Sequence, residues 1–426
     1  MLENIIQDER LQTAYLMVDA LDEYMTDRDL LLRFIAGHAV ASPRVKWVVS
    51  SRNIPEIQNL LEIDSPNGLE VKLGLEVTQN AGQVACAVDA FIDYKLSNMR
   101  SLQEEHETRD RLRDIMREKA NGTFLWVALV IDELSKTDSW DMLEVLKELP
   151  EKLDSLYDRI IQQIQNLKRR NPKYCQLVLS AATLAYRPLY LAELAIVSGL
   201  PTAIAAHTTR IRDIIAQCGS FLTVKESVVY LIHQSVKDYL GTRASYIFPS
   251  GPSEVHHAMF TRSVRALSGG ILRRNMYSLP YLGITIDDVE VPEEDPLAGV
   301  RYSCVHWARH FCDAGPGNSG FETGDLEMIY LFIQSFFLYW LEAVALLQSM
   351  SESIISIRQL KTFLKVRSRA PFKVIFTNFS RNNLANVPLW ISSRMRFDLP
   401  STTGIQLRMP RFRLIYRLFS SARPAR

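Results

Sequence analysis

The first clear apolar run, Tyr15-Leu16-Met17-Val18, stands directly ahead of three carboxylates, Asp19, Asp22 and Glu23. A short apolar run bounded by turn formers reads as a buried strand of a parallel sheet, and such strands carry their functional groups at the C-terminal edge. A helical pattern over Asp27 to Ala39 and a second strand, Val45 to Ser50, follow. Ser51-Arg52-Asn53 closes that strand, and Leu69 to Leu73 is a third candidate after the turn Asp64-Ser65-Pro66-Asn67-Gly68. This alternation predicts βαβ wiring. From about Val77 the apolar period changes to 3.6, predicting helices over Ala81 to Ser97, Glu105 to Lys119, Phe124 to Leu134, Met142 to Leu149 and Leu153 to Leu167.

A further helical segment starts near Pro172, and Tyr186 to Leu194 reads as a turn leading into a helix. Phe221 to Val224, the turn Lys225-Glu226-Ser227, and Val228 to Ile232 predict a β-hairpin. Helices followed by a hairpin describe a winged helix. Residues 252 to 364 look helical again, and beyond Leu364 the period fades into short apolar runs broken by prolines. The expected fold is mainly α, with a partial parallel α/β sheet followed by helical and winged-helix domains. The divisions fall at 1–76, 77–170, 171–250, 251–364 and a basic tail, 365–426.

Composition changes this picture only locally. An apolar fraction of 47% over 426 residues is that of an ordinary globular chain, long enough for two or three domains. The net charge of +1 hides a tail holding thirteen Lys/Arg against the single acid Asp398. No recognised nucleic-acid module frames that tail, so disorder is the favoured reading and no specific nucleic acid is expected. Five scattered cysteines predict reduced thiols and a cytoplasmic protein. Ile329 to Leu347 approaches the length of a membrane span, but Gln334 and Glu342 interrupt it, favouring a buried or partner-facing helix. Cys304, His306, His310 and Cys312 have the residue types of a zinc site. On one helix, at 100° per residue, they cannot converge, so no zinc is expected.

The carboxylates after the first strand admit two readings, a solvated turn with a helix cap or half of a nucleotide site. The other half of such a site would be a loop G-x-x-x-x-G-K-[ST], and the sequence holds no Gly-Lys pair. Six segments in order resemble the fungal NACHT proteins, signal-transducing NTPases related to innate-immunity receptors. They are Tyr15 to Glu23, Ser42 to Arg52, Ala120-Asn121-Gly122-Thr123-Phe124-Leu125-Trp126-Val127, Tyr186-Arg187-Pro188-Leu189, Cys218-Gly219-Ser220-Phe221-Leu222 and Ile232-His233-Gln234-Ser235-Val236-Lys237-Asp238-Tyr239-Leu240.

The resemblance covers roughly residues 10 to 360 and implies roles, judged by motif order. Asp19 would be the carboxylate on the Mg²⁺ side of bound ATP or ADP, and Asp22 or Glu23 the water-positioning acid. Arg52 would be the sensor arginine, Gly122 would bring backbone close to adenine, and His233 would contact the β-phosphate of ADP. The resemblance further implies a truncated core without the phosphate-loop strand, no turnover by this chain alone, and action through other proteins, NACHT relatives among them. The rival expectations are an NTPase completed by a partner chain, and a helical scaffold indifferent to nucleotide.

Overall fold

The computed structural model describes residues 6, 13–23, 28–41, 45–52, 54, 56–57, 78–243, 245–281, 284–315 and 323–367. The expected third strand at Leu69 to Leu73 and the tail beyond 367 lie outside them. The described fold is mainly α with a partial parallel sheet, and the chain divides into two compact units, Met1–Ile131 and Asp132–Arg426.

The first unit opens with β1 (Ala14–Val18), α1 (Arg28–Ala41) and β2 (Val45–Val49). β1 and β2 pair in parallel, from Ala14 opposite Val45 to Val18 opposite Val49, as the βαβ reading requires. Each strand alternates. Tyr15, Met17 and Val48 are exposed on one face, while Val18 and Val49 on the other pack against a small core of Leu21, Leu32 and Ile57. Farther along come α2 (Thr78–Ser97), α3 (His106–Ala120) and α4 (Phe124–Leu134). On α3, Leu112, Met116 and Ala120 recur every four residues and are buried, the stripe of an amphipathic helix. Asp93 of α2 accepts from Arg113 and Arg117 of α3 on the solvent side.

The second unit continues with α5 (Met142–Glu148), α6 (Leu153–Gln165) and α7 (Asn171–Leu184). Pro172 in the first turn of α7 fits a position where its missing N–H has no helical acceptor. Then come β3 (Leu189–Tyr190), α8 (Leu191–Ser198), the single turn α9 (Thr202–Ala205), α10 (Thr208–Gln217), and the strands β4 (Leu222–Lys225) and β5 (Val228–Leu231). β5 lies between β3 and β4 in an antiparallel sheet. β3 was not separated from its helix in the sequence, because two residues are too few to show a period. Glu193 anchors this region. Fully buried, it accepts from both terminal nitrogens of Arg187 (2.8 and 2.6 Å), from the backbone N–H of Tyr190 (2.8 Å), and from the backbone N–H of Tyr302 (3.0 Å). α8 ends at Gly199, whose φ of 75° suits glycine; a Cβ there would lie 2.4 Å from the Arg262 guanidinium, which donates to Val197 O.

After α11 (Gln234–Thr242) come α12 (Pro252–Ala266), α13 (Arg301–Ala314), α14 (Thr323–Leu346) and α15 (Met350–Arg367). The expectation of helix throughout 252 to 364 fails between Leu272 and Val300, where the described residues hold only the short turn Ile286–Asp288. Pro280, Pro292 and Pro296 remove backbone donors there. α14 is long and apolar enough to cross a membrane, with 39% of that stretch buried. Its Phe332, Trp340 and Val344 join Phe260 of α12, Trp307 of α13 and Leu360 of α15 in one core, and Trp340 Nε1 donates to Cys304 O (2.8 Å). Of the candidate zinc residues, Cys304 is buried in that core, and His310 bonds Tyr302 Oη (2.7 Å) and His256 (2.7 Å). Five free cysteines are found.

Candidate functional site

The two parallel strands end side by side, and their backbone pairing runs on past them. Ser50 N donates to Val18 O (2.9 Å) and Leu21 N to Ser50 O (2.9 Å). Between these bonds the chain turns sharply at Ala20, whose φ of 50° lies in the left-handed region. That turn leaves Asp19 exposed at the strand end and carries Leu21 down into the small core. Ser50 ties the turn together. Its hydroxyl accepts the backbone N–H of Ala20 (2.9 Å) and donates to Asp19 Oδ1.

One turn on, Asp22 is buried and meets Arg52. The Arg52 backbone N–H donates to Oδ1 (3.0 Å) and its Nε to Oδ2 (2.7 Å), with side-chain exposures of 5% for Asp22 and 52% for Arg52. Burial alone would raise the Asp22 pKa, but the two donors of Arg52 outweigh it and hold the carboxyl below its ordinary value. Asp22 is thus a weak base here, since a carboxylate with a depressed pKa gives up little by staying ionised. Asp19 faces outward with one oxygen engaged by a neutral hydroxyl, the geometry of a carboxylate open to a hydrated cation. Glu23 closes the same short turn, Leu21–Glu23.

Gly122 stands in the first unit between α3 and α4. Asn121 (φ 44°) and Gly122 (φ 71°) are both left-handed, and Thr123 N closes the turn on Ala120 O (2.8 Å). A Cβ on Gly122 would meet only Val84, at 3.9 Å. Glycine is favoured there by its backbone angle and not by crowding.

His233 belongs to the second unit, where it caps α11 by accepting Ser235 N–H at Nδ1 (3.1 Å). An Nδ1 that accepts carries no proton, so the neutral ring holds its proton on Nε2, and the side chain is exposed. Ser235 Oγ lies 2.8 Å from Nδ1 and 2.9 Å from Tyr157 Oη. Tyr157 is itself locked in the core against Phe221 and Tyr239. The imidazole is therefore aimed outward from a rigid base, offering one N–H donor.

The structure brings Asp19, Asp22 and Arg52 together at one sheet edge and places His233 in the other unit. Sequence reasoning missed Ser50, Ser235 and Tyr157. The two serines stood inside segments already singled out, as polar residues beside the candidate groups. Tyr157 gave no signal, being 78 residues from its partner.

No family model matches the chain, and no solved structure matches it. It is similar to the vegetative incompatibility protein HET-E-1 of Podospora anserina, 37% identical over 384 residues that cover 85% of this chain. The same alignment covers 27% of HET-E-1, so the chain spans little more than a quarter of that relative's length.

Proposed function

We propose that this chain is a NACHT-type signalling protein that carries the acidic half of a nucleotide site and acts through other proteins, without turning over ATP alone. The observation that carries this reading is the edge where Asp19 and Ser50, then Asp22 and Arg52, join two parallel strands. The likeness to HET-E-1, a vegetative incompatibility protein, supports a signalling role in a fungal setting.

The residues fit Mg²⁺ with ATP or ADP on one side only. When bound, the ion would supply charge neutralisation at the phosphates, and Asp19 is the residue that would hold its water shell. Arg52, half exposed, would have to leave Asp22 to reach a phosphate, and in exchanging partners it would report whether one is there. The Nε2–H of His233 is a donor suited to a phosphate oxygen. No Gly-Lys pair occurs among the 426 residues, so the loop that makes most phosphate contacts is not part of them. On this reading β1 and β2 descend from the acidic and sensor strands of an NTPase core, and β3, β5 and β4 with their helices form the winged helix.

A second reading, a site completed by another polypeptide segment, is favoured by the sheet itself. Tyr15 is 65% and Met17 79% exposed on one face, large apolar groups that a complete α/β core would cover. Co-expression with an N-terminal segment of a NACHT relative bearing a phosphate loop separates the readings. The proposed function expects no nucleotide binding by the co-expressed pair and no hydrolysis by the 426-residue chain alone, whereas nucleotide binding by the pair would favour the second reading. ATP hydrolysis by the purified chain that disappears in Asp19→Ala would overturn the proposed function.

A further inference from the structure

The second unit holds a cavity of about 410 Å³, within the range of small-molecule sites. None of Asp19, Asp22, Arg52, Gly122 or His233 lines it. One wall is a face of the antiparallel sheet. Tyr190 pairs with Val228, and Tyr230 lies two residues on, so all three point to the same side. Arg301 and His306 from the first turns of α13 form the wall beside it, Arg187 adds a third side, and Ser349 and Glu352 at the start of α15 close the rim.

His306 is the informative residue. It is 9% exposed, lines the cavity, and has ring contacts with Tyr186 and Tyr302, yet neither ring nitrogen has a hydrogen-bond partner among the described residues. Its ring nitrogens are not sealed from solvent, so on the cavity side they meet water or an occupant. Burial, with Arg187 and Arg309 nearby, pushes its pKa down to about 3, so the ring is neutral and offers one donor and one acceptor.

The remaining groups set the sign of the occupant. Arg301 spends Nε and Nη2 on Asp295, and its Nη1 has no partner among the described residues. The first-turn N–H groups of the 18-residue α15 have no acceptor within their helix, and the Ser349 hydroxyl turns away to Leu347 O. These donors favour an anion. Glu352 on the rim opposes one, unless the occupant also carries a hydrogen-bond donor. Tyr190 (44% exposed) and Tyr230 (37%) offer ring surface to a flat body.

We propose that this cavity binds a small organic anion, a phosphate or carboxylate on a flat aromatic body. The head sits at Arg301, His306 and the α15 N-terminus, and the ring sits against Tyr190 and Tyr230. The proposal is independent of the nucleotide reading.

Saturation-transfer NMR and titration on the full chain test it, with phenyl phosphate, benzoate, inorganic phosphate and benzylamine as probes. Phenyl phosphate is expected to bind, inorganic phosphate about tenfold more weakly, and benzylamine not at all. Tyr230→Ala, at an exposed position, should weaken phenyl phosphate about fivefold, and Glu352→Gln should tighten it about threefold by removing the opposing charge. His306→Phe keeps a flat ring between Tyr186 and Tyr302 and should weaken binding about tenfold. Tyr94→Ser, at an exposed position outside both sites, should leave binding unchanged. The proposal is overturned if phenyl phosphate fails to bind at about 10 mM, if benzylamine binds as well, or if Tyr230→Ala and Glu352→Gln both leave binding unaltered.

Discussion

Two arginine–carboxylate pairs in this molecule look alike in a contact diagram and do different work. Arg187–Glu193 joins a fully buried carboxylate to a guanidinium, and the same carboxylate also takes two backbone N–H groups at the starts of α8 and α13. Asp22–Arg52 joins a buried carboxylate to a guanidinium that is half in solvent, where β1 and β2 pair over a small core of Leu21, Leu32 and Ile57. The first pair cannot part without stranding four donors around a buried site. The second can exchange partners, because water solvates the arginine at once. The Arg187 guanidinium is itself 36% exposed, so it is the buried Glu193 carboxylate's backbone bonds to Tyr190 and Tyr302 that make the first pair a structural anchor and leave the second a movable contact.

The largest expected effect breaks the anchor. Glu193→Ala should cost about 3–5 kcal/mol in chemical denaturation of the second unit, the range for removing one partner of a buried pair. A loss below about 1 kcal/mol would place Glu193 with the surface pairs. Acid probes the same neighbourhood. Burial depresses the pKa of His306, to about 3, and holds that of His310 well below its ordinary value, so the unfolded chain binds more protons just below the ordinary histidine pKa of about 6.5. The stability they contribute is present above about pH 6.5 and lost as pH falls toward the folded values. Each histidine should cost up to about 1.4 kcal/mol per pH unit, read from denaturant midpoints at pH 7.0, 6.0 and 5.0.

Smaller still is Gly199→Ala, expected to cost about 1 kcal/mol or more, since φ is positive and Arg262 fills the space. The smallest effect tests the other side of the comparison. Met17→Ser, at a position 79% exposed, should change stability of the chain by less than about 0.5 kcal/mol. It should instead weaken any complex formed on the open sheet face. A large loss of stability in the isolated chain would mean that this face is already covered.

The contrast also explains what the sequence could show. Helices were legible wherever an apolar stripe recurs at 3.6 residues, as at Leu156, Ile160 and Ile164, because local spacing and burial agree there. The parallel pairing of β1 and β2 was legible from strand–helix–strand order. The region 272 to 300 was read as helix together with the rest of 252 to 364, although Pro280, Pro292 and Pro296 stand in it. At the candidate site, Asp19, Asp22 and Arg52 were singled out by their place at strand ends. That Asp22 and Arg52 bond each other was not, since 30 residues separate them and only the strand register brings them into reach. Glu193 was quoted only as part of a turn, for its partner Tyr302 lies 109 residues away.

The central claim is that Asp19, Asp22 and Arg52 mark a nucleotide-binding ancestry without supporting turnover by this chain. It is tested most directly by phosphate release from Mg-ATP, measured on the purified 426-residue protein beside Asp19→Ala. The account expects the two to be indistinguishable from buffer. Release above buffer that vanishes in the variant would contradict it.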